Sequence, residues 1–375
     1  MKVLIAGDFC PNGRLKELIE SRQFESVLGE VKPIVETADY AIVNYESPVA
    51  ADDNKPIVKQ GPHLKSTSEG VEAIKWAGFR CLTLANNHFY DYGEVGAHKT
   101  IEACRNLNLD YVGAGENIER ASRTLYINGP TKTLALINCC EHEFSIATKD
   151  KAGSNPLEPI RQYYAILEAK KKADFVLVIV HGGFEHFQLP TPRMQATYRF
   201  FVDAGADAVV NHHQHCYSGY EVYQGKPIFY GLGNFCFDSI SNTTPLWEVG
   251  FIVVIHFEDI ISFQIIPYKQ CSDVPAVTLL SNRDKFDKSI REINSIILSH
   301  ERLNAAVSTY YAESVKSSKA GLEPFYGTKL GKSLGRIRST FINNKQVVKL
   351  YDSIFCESHR DKMMFFLNEK IKELK

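Results

Sequence analysis

Six stretches of the chain share one texture: KVLIAGD, YAIVNYE, FRCLTLANN, TLALINCC, DFVLVIVHGG and ADAVVNHH. Each is apolar at consecutive positions, which predicts strands buried on both faces. Between several of them the spacing is helical, for example over 68–77 and 93–107. Buried strands alternating with helices predict an α/β layered fold.

From about Gly219 the pattern changes. YEVYQGKPIFYGLGNF predicts a hairpin turning at Gln224-Gly225, and GFIVVIHFEDIISFQIIPYK predicts a second pair of strands turning near Glu258-Asp259. Both read as antiparallel additions to the core sheets. Beyond Asn282 the chain turns helical. Phe286, Ile290, Ile293 and Ile297 follow the spacing of one helix face, and 345–375 alternates charges with apolar clusters. The stretch 314–344 is rich in Gly, Ser, Lys and Arg and reads as partly loop. Residues 1–282 are therefore expected to form one domain. Residues 283–375 are expected to form a helical extension whose apolar stripe packs on it.

The polar residues that matter sit where the apolar runs stop. Asp8 follows the first run and Glu46 the second. CLTLA runs into Asn86-Asn87-His88, with Asp91 shortly beyond. FVLVIV ends in His181-Gly182-Gly183, followed by Glu185, and DAVV ends in the three histidines of NHHQH. Taken singly, each is an ordinary cap, turn or solvated loop. Taken together, five strands end in groups able to bind a metal, and the carboxyl ends of α/β strands gather on one edge. Two divalent cations about 3.5–4 Å apart need a bridging carboxylate and terminal N/O ligands. Glu46 can bridge; Asp8, Asn87, His181, His213 and His215 can be terminal. Mixed imidazole and oxygen ligands suit Mn, Fe or Zn better than Ca or Mg. His88, next to a ligand, can protonate a leaving oxygen, with Asp91 orienting its ring.

Composition narrows the setting. A net charge of -1 over 375 residues argues against a general nucleic-acid binder. The 9 cysteines include no CxxC pair and do not suggest a disulfide framework. No apolar run reaches the length of a membrane span. A cytoplasmic location is expected, with peripheral membrane contact left open.

AGDF, VNYESP, LANNHFYDYG, HGGFE, NHHQH and GLGNF, in this order over about residues 1–268, resemble the CapA family of bacterial capsule and poly-γ-glutamate biosynthesis proteins, within the calcineurin-like metallophosphatase superfamily. The resemblance implies a four-layer α/β/β/α metallophosphatase-like sandwich with a dinuclear site between two stacked sheets. It implies Glu46 as the bridge and Asn87, His181 and His213 on one metal. Asp8 and His215 fall to the other metal, and His88 is the catalytic acid. It assigns no role to His212 and suggests that Asn234 reaches the site. The superfamily's usual Asp-x-His opening is here Asp8-Phe9-Cys10. Cys10 then either substitutes as a soft ligand or leaves one site weak, and the weak site is the expectation.

Some features keep a plainer reading beside the functional one. Glu185 and His186 are candidates for substrate contact or for a solvated loop. Cys139 and Cys140 read as core. Lys329, Lys332, Arg336 and Arg338 could meet an anionic polymer or a headgroup, or simply form a solvated face. The function expected is that of a metal-dependent hydrolase, a phosphoesterase first, acting on an anionic small molecule or polymer during synthesis of a cell-surface polymer. Peripheral contact with a membrane-bound synthetase complex goes with that role. The rivals are a γ-glutamyl amide hydrolase or transferase and a non-catalytic scaffold of such a complex.

Overall fold

The computed structural model describes residues 1–239, 245–322 and 344–373. Along the first strand, Lys2–Cys10, side chains alternate between two apolar environments. Val3 and Ile5 join one hydrophobic cluster, Leu4 and Ala6 another. A strand sandwiched between layers must be apolar at both parities.

That strand lies inside an eight-stranded sheet. The spatial order is Val277–Leu279, Ser262–Gln270, Val249–His256, Lys2–Cys10, Tyr40–Tyr45, Cys81–Thr83 and Asp110–Val112, with Asn234–Phe237 also paired to the first strand. The second sheet runs Tyr220–Tyr223, Lys226–Phe229, Ala208–His212, Phe175–His181, Thr133–Cys140 and Leu125–Asn128. Val3, Ile5, Ile42 and Val253 from the first sheet pack with residues of the second such as Leu136 and Val178. The outer face of the first sheet is covered by Leu15–Glu20, Ser68–Trp76 and Gly93–Asn106. The outer face of the second is covered by Pro159–Lys170 and Pro192–Asp203. The architecture is helices, sheet, sheet, helices.

One expectation needs correction. The Lys226–Phe229 strand pairs antiparallel with Tyr220–Tyr223, but it is parallel to Ala208–His212. The chain then crosses to the other sheet, where Asn234–Phe237 runs parallel to the first strand with Asp8 opposite Asn234. Glycines permit the crossing. Gly233 has φ +80°, and a Cβ on Gly7 would lie 1.8 Å from the Gly233 carbonyl oxygen. Of the stretch 314–344, residues 314–322 belong to the helix His300–Leu322, and 323–343 lie outside the described residues. Lys329, Lys332, Arg336 and Arg338 lie outside the described residues.

Phe286, Ile290, Ile293 and Ile297 of the helix Asp284–Ile297 belong to the same hydrophobic cluster as the inter-sheet core. Helices Asn344–Phe355 and Glu357–Glu373 dock by polar contacts. Arg193 reaches Glu141 and Asp361, each at 2.6 Å, and Glu357 lies 2.6 Å from His142 Nδ1. Phe365 meets Tyr311, and Phe355 meets the His142 ring. All 9 cysteines are buried and unpaired. Among the described residues, no helix is long and apolar enough to cross a membrane.

Candidate metal centre

The carboxyl ends of five strands from the two sheets bring their terminal residues together. Asp8 ends the straight part of the first strand, where the register shifts beside Asn234. Its Oδ1 accepts from Asn44 Nδ2 at 2.7 Å and its Oδ2 from the His213 backbone N–H at 3.2 Å. Glu46 follows the Tyr40–Tyr45 strand and is held by its own N–H donating to the Phe9 carbonyl at 2.9 Å. Asn87 follows Cys81–Thr83 in a turn pinned by Asn86, whose amide donates to the Tyr45 carbonyl at 2.9 Å. His181 closes Phe175–His181, and His212 closes Ala208–His212 directly opposite it.

The ligand candidates fall into overlapping groups. Glu46, His181 and His213 offer donor atoms within 4.8 Å of one another; so do Asp8, Glu46 and His215. Glu46 belongs to both. Its Oε1 lies 3.6 Å from His181 Nε2 and 3.7 Å from His215 Nε2. Asn87 Oδ1 is 3.1 Å from His181 Nε2, which is itself 3.1 Å from His213 Nδ1.

Electrostatics give the reason to invoke a cation. Glu46 is fully buried, and neither of its carboxylate oxygens has a hydrogen-bond partner. Burial, then the nearby Asp8 charge, pushes its carboxyl well above the usual range. An unpaired buried carboxylate is costly, and native structures pair such groups or use them on metals. Burial also keeps the imidazoles neutral: His213 is pushed down to about 4, and His181 lies well below its ordinary value. Neutral imidazole is the form that binds metal. His213 and His215 have φ of 89° and 53°, a left-handed backbone that costs about 1–3 kcal/mol per residue and is typical of ligand clamps. The residues present therefore fit divalent metal binding.

His88 stands beside this cluster. Its Nδ1 is 2.7 Å from Asp91 Oδ2. An ionised carboxylate only accepts, so Nδ1 carries the proton and Nε2 is left for proton transfer. The other Asp91 oxygen is paired with Lys59, whose side chain is 3% exposed and whose Nζ lies 3.1 Å from His88 Nδ1. Burial, backed by the Lys59 charge, lowers the His88 pKa against the pull of Asp91. For Asp91, burial alone would raise the carboxyl, but His88 and Lys59 outweigh it and hold it low.

The remaining candidates separate. Asn234 Oδ1 lies 2.9 Å from His215 Nδ1, so it orients that ring. Glu185 groups with His213 and His215 as a third set of donor atoms. His212 is in none of these sets; both its ring nitrogens are buried without a hydrogen bond, with Nδ1 3.5 Å from Asp8 Oδ1. Cys10 is also outside them and packs with Phe237 and Trp247.

Sequence reasoning missed Lys59, because a lysine in a polar loop ordinarily reads as solvated. It also missed Trp247, whose ring sits 5.0 Å from that of His215, and Glu143, whose carboxylate lies 4.0 Å from His213 Nε2. Burial raises the Glu143 carboxyl to about 7. Asn44 did carry a signal: an amide inside an apolar strand needs buried partners.

A family profile described as "Bacterial capsule synthesis protein PGA_cap" matches residues 2–239. The capsule biosynthesis protein CapA of Bacillus anthracis is 37% identical over 246 residues, covering 64% of this chain and 60% of that protein. The PGA biosynthesis protein CapA of Bacillus subtilis (strain 168) is 36% identical over 236 residues, covering 62% of each. The chain thus spans under two thirds of the length of these curated relatives. A phosphatase from Mycoplasma pneumoniae superposes with a TM-score of 0.42 at 15% identity, covering 74% of this chain and 90% of that one. A likeness of that size says nothing about the chemistry of the site. The family match covers more than half of the sequence and takes in every residue of the proposed centre, and the chain belongs to the bacterial capsule synthesis protein family PGA_cap.

Proposed function

We propose that this chain is a divalent-metal-dependent phosphoesterase that works in the synthesis of a cell-surface polymer. The observation that carries the proposal is the Glu46 carboxylate, buried without a hydrogen bond between two sets of metal-binding side chains. Glu46 with Asn87, His181 and His213 would hold one ion; Glu46 with Asp8 and His215 would hold the other. Manganese, iron and zinc all suit such mixed ligands. When bound, the ions would supply Lewis acidity at a phosphoryl oxygen and lower the pKa of a water.

The chain's own residues do the rest. Asp91 fixes the His88 ring and keeps Nε2 turned to proton transfer, so that His88 protonates the departing oxygen. Asp8 is held by Asn44 and the His213 N–H, and His215 is oriented by Asn234. These contacts limit the motion of the ligands before substrate arrives. Phosphoesters are favoured over amides because two cations and His88 suit a phosphoryl centre, where charge spreads over several oxygens in the transition state. The names of the two Bacillus relatives, which speak of capsule and PGA biosynthesis, support the cellular setting.

The test is hydrolysis of an aryl phosphate monoester and diester with added Mn²⁺, against a γ-glutamyl anilide. Metal-dependent cleavage of a phosphoester is expected. Turnover of the anilide alone would replace the phosphoesterase with an amide hydrolase, and no turnover at saturating metal would favour a scaffold.

A further inference from the structure

The two ion positions are unequally furnished. Glu46, His181, His213 and Asn87 give the first four protein donors. Asp8, Glu46 and His215 give the second only three. Transition ions at mixed nitrogen and oxygen sites take four or more ligands. Cys10 lies two residues past Asp8, but it is fully buried against Phe237 and Trp247 and shares no set of ligand atoms. Asn234 has its amide oxygen on His215 Nδ1.

His212 lies 3.5 Å from Asp8 but shares no set of ligand atoms, which leaves Glu185 as the candidate. Its carboxylate and the ring nitrogens of His213 and His215 lie within 4.8 Å of one another. The backbone holds it there. Gly183, at φ +107°, turns the chain after His181, where a Cβ would press on Met194 at 3.0 Å. The His186 N–H then donates to the Gln214 carbonyl at 2.7 Å, tying this loop to the histidine loop.

We propose that Glu185 is the fourth protein ligand of the ion position formed by Asp8, Glu46 and His215. The proposal rests on a dinuclear centre at Glu46. It makes the two positions chemically different. One has a carboxylate, an amide oxygen and two imidazoles; the other has three carboxylates and one imidazole. The second, harder donor set suits Mn²⁺.

The full chain, stripped of metal, is titrated with Mn²⁺ alone, and bound ions are read by elemental analysis and by electron paramagnetic resonance. Two ions per wild-type chain, with an exchange-coupled signal, are expected. Glu185→Ala should hold one ion with an uncoupled signal, its second affinity at least tenfold weaker. Cys10→Ala should keep both. Because the Glu185 side chain is half exposed, its removal leaves the fold intact, which circular dichroism checks. Two ions at wild-type affinity in Glu185→Ala, or loss of the second ion in Cys10→Ala, would overturn the assignment. A wild-type chain that binds no Mn²⁺ would overturn the dinuclear centre itself, and the ligand role with it.

Discussion

Asp91 and His88 form a buried pair, 2.7 Å apart and three residues apart in sequence, with Lys59 closing the other side of the carboxylate. In the proposed mechanism the pair positions a proton donor and takes no part in holding metal. Asp91→Asn should therefore keep its bound metal while turnover on a poor leaving group falls by about 10²-fold, near the low end of what a general acid contributes. His88→Asn should fall as far or further. An activated aryl leaving group, which needs no proton, should show a much smaller loss in both. Steady-state rates on the two substrate types, beside elemental analysis of each variant, decide it.

Glu46 gives a prediction of opposite sign for stability and function. Without metal its charge is buried and unpaired, so Glu46→Gln should unfold at a higher temperature than the wild-type chain in chelator. On adding Mn²⁺ the order should reverse, because only the wild-type chain gains binding energy. At a thousandfold excess over the dissociation constant that gain is about 4 kcal/mol. Thermal melts of both chains with chelator and with metal measure it. A variant that melts lower than wild type in chelator would mean that Glu46 has a partner in the folded chain.

Arg193 ties the last described helix to the second sheet through Asp361 and Glu141, the latter 3% exposed. Removing one partner of a buried ion pair strands the other and costs about 3–5 kcal/mol. Arg193→Met should release 344–373 before the sandwich melts. Limited proteolysis should then cut within 344–373 in the variant under conditions where the wild-type chain resists.

That docking should also weaken as pH rises. The Glu357 carboxylate raises the pKa of His142, and Asp352 raises that of His359 against the effect of burial. A histidine whose folded pKa exceeds its unfolded value contributes fully below about pH 6.5. That contribution fades as pH climbs through the raised value. Hydrogen exchange in 357–373, corrected for intrinsic rates, should show more protection at pH 6 than at pH 8.5. His142→Gln should flatten part of the difference.

The strands and the gathering of Asp8, Glu46, His181, His213 and His215 were legible because both leave marks at fixed places. Unbroken apolar runs announce strands covered on two sides, and polar groups at their carboxyl ends must gather wherever the sheet edges meet. Crossings between sheets left no such mark. Asn234–Phe237 looked like one more hairpin partner, since nothing in its residues tells which sheet it will join; that depends on the close approach of Gly7 and Gly233. Lys59 was invisible for a related reason. Its burial comes from what folds over it, and the residues on either side of it, Val58 and Gln60, do not announce it.

The partners of the first strand also set a timetable. On one side it pairs with Tyr40–Tyr45, made soon after it; on the other it waits for Asn234–Phe237 and Val249–His256. During translation at about 5–20 residues per second, the roughly 210 residues in between take about ten to forty seconds to appear. For that interval the nascent chain carries an open apolar edge, and Asp8 lacks both the Asn234 strand and the His213 amide that later fix it. The centre can close only near the end of synthesis of the sandwich. A ribosome stalled before residue 234 would hold a chain with most of its strands and an Asp8 not yet flanked by Asn234.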